Sequence, residues 1–306
     1  MIPVKYAIES KQLVKQFGAF RAVDGMDLRL ESGKISALLG PNGAGKTTAI
    51  SMMLGMLKPT SGEIRVLGQL AGSPELRERV GAMMQDARAA DGLTVREVLQ
   101  LLRSYYRNPL PLDRLLDVSG LHGEAMKRAS SLSGGQRRRL AFAQSLAGNP
   151  QLLLLDEPTV GMDVEARIRF WETIRELADQ GTTVLLTTHH LEEADNVADH
   201  IAVLAAGRII AEGTPGELKV KASLRTVSFR AASMPHEHEL LQLPGVEKVD
   251  SRGSRIRLYV RNADLVLPEL LRTGWGVTDI EVQSASLEDA FRSITEKPLA
   301  QKLAHS

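Results

Sequence analysis

Three groups of residues in this chain have the types and spacing to handle phosphate. The first is Gly40-Pro41-Asn42-Gly43-Ala44-Gly45-Lys46-Thr47, followed by Thr48. It fits the G-x-x-x-x-G-K-[ST] template of a phosphate-binding loop. Gly43 and Gly45 lack a Cβ, so the backbone can wrap closely and adopt positive φ. Several N–H groups then turn inward onto phosphate oxygens. The helix that follows presents its positive end to the same anion. Lys46 adds a mobile positive charge for the β and γ phosphates. The Thr47 hydroxyl is a hard oxygen ligand of the kind Mg²⁺ prefers. Alone, the loop says that a nucleotide is held and not which one.

The second group is Leu132-Ser133-Gly134-Gly135-Gln136, directly ahead of another helical pattern. That is a second anion-binding helix terminus. One nucleotide cannot easily use both termini within one compact domain. The third group is Leu152-Leu153-Leu154-Leu155-Asp156-Glu157. A buried strand here delivers two carboxylates to its C-terminal edge, where α/β proteins place ligands. Each of these two groups is weak by itself. Polar loops commonly cap helices, and acids at a strand end before a proline such as Pro158 are not rare.

Such groups need elements to position them. Strand-like and helix-like segments alternate to about Leu218. Ile35 to Leu39 reads as a buried strand and Thr48 to Leu57 as a helix. Gln151 to Asp156 and Thr183 to Thr187 are short apolar runs typical of a parallel sheet covered on both faces. Val164 to Asp179 has helical spacing between them. The pattern predicts a layered α/β core with right-handed crossovers. From about Asp86 to Leu132 the chain reads as a helical insertion. Thr94-Val95-Arg96-Glu97 resembles a capping box that opens a helix over Val95 to Tyr106. More helical pattern follows, broken by Pro109, Pro111 and Gly120.

Beyond Leu218 to Ser223 the pattern changes. Thr226 to Arg230, Val246 to Asp250, Arg255 to Val260 and Val277 to Val282 read as strands. Leu265 to Arg272 and Leu287 to Ile294 read as helices, the second capped by Ser286. This is a small α+β domain.

Composition narrows the function classes. The chain of 306 residues is 43% hydrophobic and 25% charged, with a formal net charge of +1. So even a balance argues against whole-surface attraction to nucleic acid or anionic lipid. With no cysteine, disulfides, thiolate catalysis and cysteine metal sites are excluded. No apolar signal-peptide core follows Met1-Ile2-Pro3-Val4-Lys5-Tyr6. The longest aliphatic runs fall far short of the roughly 20 residues that span a bilayer. Any transport role therefore requires another chain to supply the channel.

In this order, the phosphate loop, Leu132 to Gln136 and Asp156-Glu157 resemble the nucleotide-binding subunit of ATP-binding cassette (ABC) proteins. The resemblance runs from about Val4 to Leu218. It implies an α/β P-loop NTPase core at 1–220, with its helical insertion at about 86–140. The small α+β domain then occupies 221–306 and resembles the extension on many drug- and antibiotic-exporting cassettes. Ser286-Leu287-Glu288-Asp289-Ala290-Phe291 carries that likeness, and a regulatory or dimer-stabilising role is expected of the domain.

The resemblance also implies ATP and Mg²⁺, with a role for each motif residue. Ser133, Gly134, Gly135 and Gln136 face the nucleotide of a partner subunit, because the family pairs cassettes head to tail. Asp156 holds Mg²⁺ through water. Glu157 polarises the attacking water, a general-base or orienting role. His189, in Thr187-Thr188-His189-His190-Leu191-Glu192-Glu193, reaches the γ phosphate. That context favours His189 over His190. Gln85, in Gly81-Ala82-Met83-Met84-Gln85-Asp86, ligates Mg²⁺. Phe17, in Lys15-Gln16-Phe17-Gly18, stacks on adenine. Stacking reads base edges poorly, so ATP over GTP is implied by resemblance. Many cassettes carry Ser-Ala-Leu-Asp after the acidic pair. Here the segment is Val160-Gly161-Met162-Asp163, which resembles a branch serving export-type permeases. It retains Asp163 for contact across the dimer.

The expected function is thus the ATPase subunit of a membrane exporter. It pairs on ATP and drives a separate permease from the cytoplasmic face of the membrane. No nucleic acid is expected. The competing expectation is a soluble ABC ATPase acting on nucleic acid or ribosomes. Such proteins usually carry long coiled coils or two cassettes in one chain, and this sequence has neither. A P-loop kinase is disfavoured by Leu132 to Gln136. Two further features are expected to be bland. Gln136-Arg137-Arg138-Arg139 reads as a solvated basic face with anion affinity. His236-Glu237-His238 reads as a surface linker rather than a metal site.

Overall fold

The computed structural model describes residues 4–85, 92–222, 225–252, 255–283 and 287–291. It opens with a feature the alternating pattern does not announce. β1 (Tyr6–Phe17) and β2 (Phe20–Glu31) form a long antiparallel ribbon. Along β2, Met26, Leu28 and Leu30 are buried while Asp27 and Arg29 are exposed. That is the period-two signature of a sheet with one covered face. β1 loses this alternation because its register shifts between Ser10 and Leu13, with Gln12 at φ 45°, as at a bulge.

The core follows. β3 (Ile35–Leu39) leads through the phosphate loop into α1 (Lys46–Met53). α1 begins two residues ahead of the expected Thr48 and ends at Met53 instead of Leu57. β4 (Ser61–Val66) and β5 (Gln69–Leu70) return to the ribbon and complete the order β2-β1-β4-β5. β6 (Val80–Met83) then enters the second sheet. The helical insertion lies between β6 and the next strand of that sheet. It contains α2 (Val95–Arg103), α3 (Leu112–Ser119) and α4 (Gly134–Leu146). The Thr94–Glu97 capping box is present, with the Thr94 N–H donating to Glu97 Oε2 at 2.8 Å. α2 ends at Arg103, short of the expected Tyr106. The proposed start of the insertion at Asp86 lies outside the described residues.

β7 (Leu152–Asp156), α5 (Val164–Asp179), β8 (Thr183–Thr188), α6 (Leu191–Val197), β9 (His200–Ala205) and β10 (Arg208–Gly213) complete the unit. The second sheet has the order β10-β9-β3-β8-β7-β6. β6, β7, β8, β3 and β9 pair in parallel. Every residue of β3, β7 and β8 is buried. Both faces of these strands are covered, which is why they read as runs that are mostly apolar. Their C-terminal ends, at Leu39, Asp156 and Thr188, lie side by side in the ladder.

Chain contacts divide the protein between Glu212 and Gly213. The second unit starts with α7 (Pro215–Ala222), β11 (Arg225–Arg230) and α8 (Glu237–Leu241). It continues with β12 (Val246–Arg252), β13 (Arg255–Val260), α9 (Ala263–Arg272) and β14 (Thr278–Gln283). Its antiparallel sheet has the order β12-β13-β11-β14. Val227, Phe229, Leu258, Val266 and Leu270 form its separate core. Residues 287–291 are helical, with Leu287 and Ala290 buried. The expected cap Ser286 and the end at Ile294 lie outside the described residues.

His236-Glu237-His238 is not a linker. The segment starts α8, where the His236 N–H donates to Glu239 Oε2 at 2.8 Å. Among the described residues no carboxylate–histidine cluster suited to a metal ion occurs, and no helix is long and apolar enough to cross a membrane.

Candidate active site

The phosphate loop is fixed where two sheets crowd it. A Cβ on Gly40 would lie 2.3 Å from the carbonyl oxygen of Leu204 in β9. A Cβ on Gly45 would lie 2.3 Å from that of Ala22 in β2, and Gly45 also takes φ 107°. No other residue fits either position without moving a strand. Gly45 is the N-cap of α1. Its left-handed turn brings the chain into the helix at Lys46, which explains the early start of α1.

Lys46 closes the loop from within. Its Nζ donates to the carbonyls of Gly40 at 2.7 Å and Pro41 at 3.2 Å. Burial pulls its pKa below the ordinary lysine value, while the Glu157 and Asp156 carboxylates push the other way. The ammonium is therefore a poorly solvated cation, which an incoming anion relieves.

The acids arrive on β7. Asp156 is almost wholly buried and accepts hydrogen bonds from two hydroxyls. Thr47 Oγ1 donates at 2.9 Å and Thr187 Oγ1 at 2.6 Å. The chain turns sharply at Glu157, which adopts φ 52°. Left-handed backbone is costly for a residue with a Cβ and persists only where the surroundings enforce it. Here the Glu157 N–H donates to Thr187 Oγ1 at 3.1 Å and to the Thr187 carbonyl at 3.2 Å. Its carboxylate oxygen Oε2 lies 2.5 Å from His189 Nδ1.

These groups line one cleft of about 730 Å³. Its walls contain Gly40, Pro41, Asn42, Gly43, Ala44, Gly45, Lys46, Thr47 and Thr48 of the loop. Gln85, Asp156, Glu157 and His189 face it from the sheet edge, with Phe20, Ala22 and Val160 at its margins. A buried carboxylate and the threonine hydroxyl bonded to it meet here, with Gln85 also on the wall. That set of oxygens suits a hard cation.

Phe17 is not part of this lining. It is the register partner of Phe20 across the β1–β2 turn and is exposed, with Lys15 Nζ 5.1 Å from its ring centre.

The second helix terminus stands apart. Ser133 is the N-cap of α4 in a capping box: the Gln136 N–H donates to Ser133 Oγ at 3.2 Å, and the Ser133 N–H to Gln136 Oε1 at 2.9 Å. A hydroxyl that accepts in a cap still has its own proton to donate. None of Ser133, Gly134, Gly135 and Gln136 lines the cleft. Asp163 is the N-cap of α5 and accepts from the Ala166 N–H at 2.8 Å.

The ABC transporter family model matches residues 23–160. The daunorubicin/doxorubicin resistance ATP-binding protein DrrA of Streptomyces peucetius is 38% identical, over 95% of this chain and 93% of its own length. The Nod factor export ATP-binding protein I of Cupriavidus metallidurans is 35% identical, over 95% of this chain and 98% of its own. This chain belongs to the ABC transporter ATP-binding family. It binds and hydrolyses ATP.

Solved ABC structures agree in fold. An ATP-binding subunit of an ABC transporter superposes with a TM-score of 0.64 at 26% identity, covering 70% of this chain and 92% of that one. An ATP-binding cassette solved as a dimer, in a post-hydrolysis state with ADP and Pi, gives 0.62 at 26% identity, covering 68% and 98%.

In this ABC ATPase the structure adds residues that sequence reading passed over. Thr187 is one. Its hydroxyl joins Asp156 to the Glu157 backbone, and a threonine one position from the Thr188-His189 pair gave no distinct signal. Glu193 is another. It is buried, accepts from Thr159 Oγ1 at 2.8 Å and lies 3.4 Å from Arg167 Nη1. It ties the turn after β7 to the helix after His189.

The basic run requires a correction. Arg137 is exposed and Arg138 and Arg139 half-buried, but all three guanidinium groups are engaged by backbone carbonyls rather than left to solvent alone. Arg137 donates to Leu132 O at 2.5 Å and Arg139 to Gly120 O at 2.8 Å. Arg138 donates to Gln85 O and Asp156 O, both at 2.9 Å, to Pro158 O at 3.0 Å and to Glu157 O.

Proposed function

We propose that this ABC ATPase is the energising subunit of a membrane exporter, and that it works as a head-to-tail pair closed over two Mg·ATP. The observation that carries the pairing is the separation of the two helix termini. The cleft holding Lys46 has no wall from Ser133 to Gln136. A terminus built to receive an anion, yet absent from its own subunit's cleft, is explained by a nucleotide held on a second copy. The exporter reading is supported by relatives over nearly the whole chain, whose names specify drug resistance and Nod factor export. The permease is a separate polytopic chain, and this subunit sits on the cytoplasmic side of the membrane through it.

The site residues then divide the work. ATP enters with its β and γ phosphates on the loop amides, and Lys46 exchanges its bonds with Gly40 and Pro41 for phosphate oxygens. Thr47, Gln85 and Asp156 fit the hard cation, with Asp156 acting through water. Mg²⁺, when bound, neutralises charge on the β and γ oxygens. Glu157 orients the attacking water and takes its proton as the water oxygen bonds to the γ phosphorus. The bond to the bridging oxygen of ADP breaks, leaving phosphate. His189 is within reach of both Glu157 and the cleft, and donates to the γ phosphate. Asp163 meets the partner subunit. Phe17 supports the adenine ring.

Two measurements test this. Glu157→Gln is expected to retain ATP binding and lose turnover by about 10²–10⁴-fold, the scale of a lost acid/base group. With ATP that variant is expected to run as a dimer in light scattering, because closure precedes hydrolysis. A monomer at saturating ATP would remove the pairing. Mild detergent extraction of the native protein is expected to bring down a polytopic membrane chain. Recovery with ribosomes or DNA would replace the exporter reading.

A further inference from the structure

Arg138 sits on α4, two residues beyond Gln136, and lines neither the cleft nor the helix terminus. Its guanidinium nevertheless reaches four backbone carbonyls on two separate segments. Nη1 donates to Gln85 O at 2.9 Å. Nη2 donates to Asp156 O at 2.9 Å and also to Glu157 O, and Nε donates to Pro158 O at 3.0 Å. The carbonyls of Asp156, Glu157 and Pro158 belong to consecutive residues around the left-handed turn at Glu157, where φ is 52°.

We propose that Arg138 is a positioning residue for ATP hydrolysis, holding the Glu157 turn and the Gln85 backbone in register with the signature helix α4. The inference rests on the assignment of Glu157 given above. Thr187 grips the turn from its amide side. Arg138 grips it from the carbonyl side, so the strained conformation is fixed at both ends. Releasing one grip lets the turn relax and moves the carboxylate. A misplacement of about 1 Å costs on the order of 10²-fold in rate. A second contact brings α4 against the following loop: a Cβ on Gly135 would lie 3.3 Å from Gly161 O. The signature of one subunit and the acid of its own site are therefore fastened together, so a shift of α4 on closure is transmitted to Glu157.

Chemistry selects arginine here. Its planar fork offers five donors in several directions, whereas a lysine ammonium offers three from one point. Lysine preserves the charge and cannot span carbonyls on both segments.

The test uses the full chain with Arg138→Lys, Glu157→Gln and the double variant. Steady-state and single-turnover ATPase, affinity for a fluorescent ATP analogue and melting temperature are read for each. R138K is expected to lower kcat about 10–100-fold while KM and analogue affinity stay within about twofold. In the E157Q background it is expected to change the residual rate by less than about twofold, because both act on one group. A full additional loss in that background overturns the proposal, as does a wild-type kcat for R138K. So does a parallel fall of affinity, melting temperature and kcat, or an R138K chain that does not fold, since each is the mark of a purely structural arginine. If E157Q alone turns over normally, the Glu157 assignment fails first and is recognised by that variant without reference to Arg138.

Discussion

His189 Nδ1 lies 2.5 Å from Glu157 Oε2. The two residues expected to act on the γ phosphate and on its attacking water are thus each other's partners. The bond aims the carboxylate across the cleft and keeps the imidazole beside it. If His189 serves the γ phosphate as proposed, it does so without releasing Glu157. His189→Ala is expected to leave ATP affinity within about twofold and to lower kcat about 10²–10⁴-fold. The H189A/E157Q pair is expected to be little slower than E157Q, because residues acting as a unit are not additive. Stopped-flow binding with single-turnover hydrolysis checks this, and an H189A rate within threefold of the wild type counts against it.

Lys46 is held in a setting that disfavours its charge. Burial lowers its pKa, and the attraction of Glu157 and Asp156 only opposes that shift. A cation with a lowered folded pKa costs stability while it remains charged, and bound phosphate reverses that. ATP is therefore expected to raise the melting temperature of the native chain. At a hundred times Kd the stabilisation is about 2.7 kcal/mol. Lys46→Ala is expected to abolish the ATP-dependent rise. An unchanged ATP shift in that variant means the loop amides alone hold the nucleotide.

The legible parts of the fold are those where sequence pattern and burial coincide. β3, β7 and β8 are covered on both faces, so Ile35 to Leu39 and Leu152 to Leu155 stand out as apolar runs. The phosphate loop was legible because its glycines serve backbone geometry that no other residue can adopt. The β1–β2 ribbon was not. The shift at Gln12 breaks its alternation, and its outer face carries Lys11, Lys15, Arg21 and Arg29. α8 has only five residues, too few for a periodicity to show.

At the site, the motif residues could be picked out by their order along the chain, and the bonds between them could not. Glu157 and His189 are 32 positions apart. Arg138 was hidden for another reason. Its partners are main-chain carbonyls, which every residue has, so a clamp and a solvated basic face look the same in sequence.

Phe17 and Phe20 face each other across the hairpin turn. Phe20 forms part of the cleft wall beside the phosphate loop, and Phe17 does not. The described cleft is lined mainly by the phosphate loop, with Asp156 and Glu157 opposite, which fits the phosphate end of a nucleotide. Phe17 has Lys15 over its ring, and we place the adenine against the ring's other face. Base–aromatic stacking is worth about 1–3 kcal/mol, and about 1.4 kcal/mol is tenfold in affinity. Phe17→Ala is therefore expected to raise KM for ATP about tenfold with kcat nearly unchanged. Phe20→Ala is expected to change KM by less than about threefold, since it removes only a rim contact. The reverse ranking in a steady-state comparison would move the base platform to Phe20.

Asp163 caps α5 with a charged carboxylate, and that has a cost at low pH. The Ala166 N–H bonds its carboxylate as the cap of α5, and this holds its pKa below the ordinary 3.8, with burial opposing and Arg139 assisting. A carboxyl whose folded pKa is depressed adds stability above its unfolded value. That contribution disappears as pH falls through the folded value. The native chain is therefore expected to lose part of its urea resistance below about pH 3.8 on account of this group. Asp163→Asn keeps an oxygen acceptor for the cap and removes the titration. Its urea midpoint is expected to fall less steeply between pH 4.5 and pH 2.5 than that of the native chain, by an amount set by one carboxyl. At neutral pH the variant is expected to stay folded and, under the proposed head-to-tail pairing, to hydrolyse ATP more slowly. Parallel urea midpoints across that acid range would show that the cap draws nothing from the charge of Asp163.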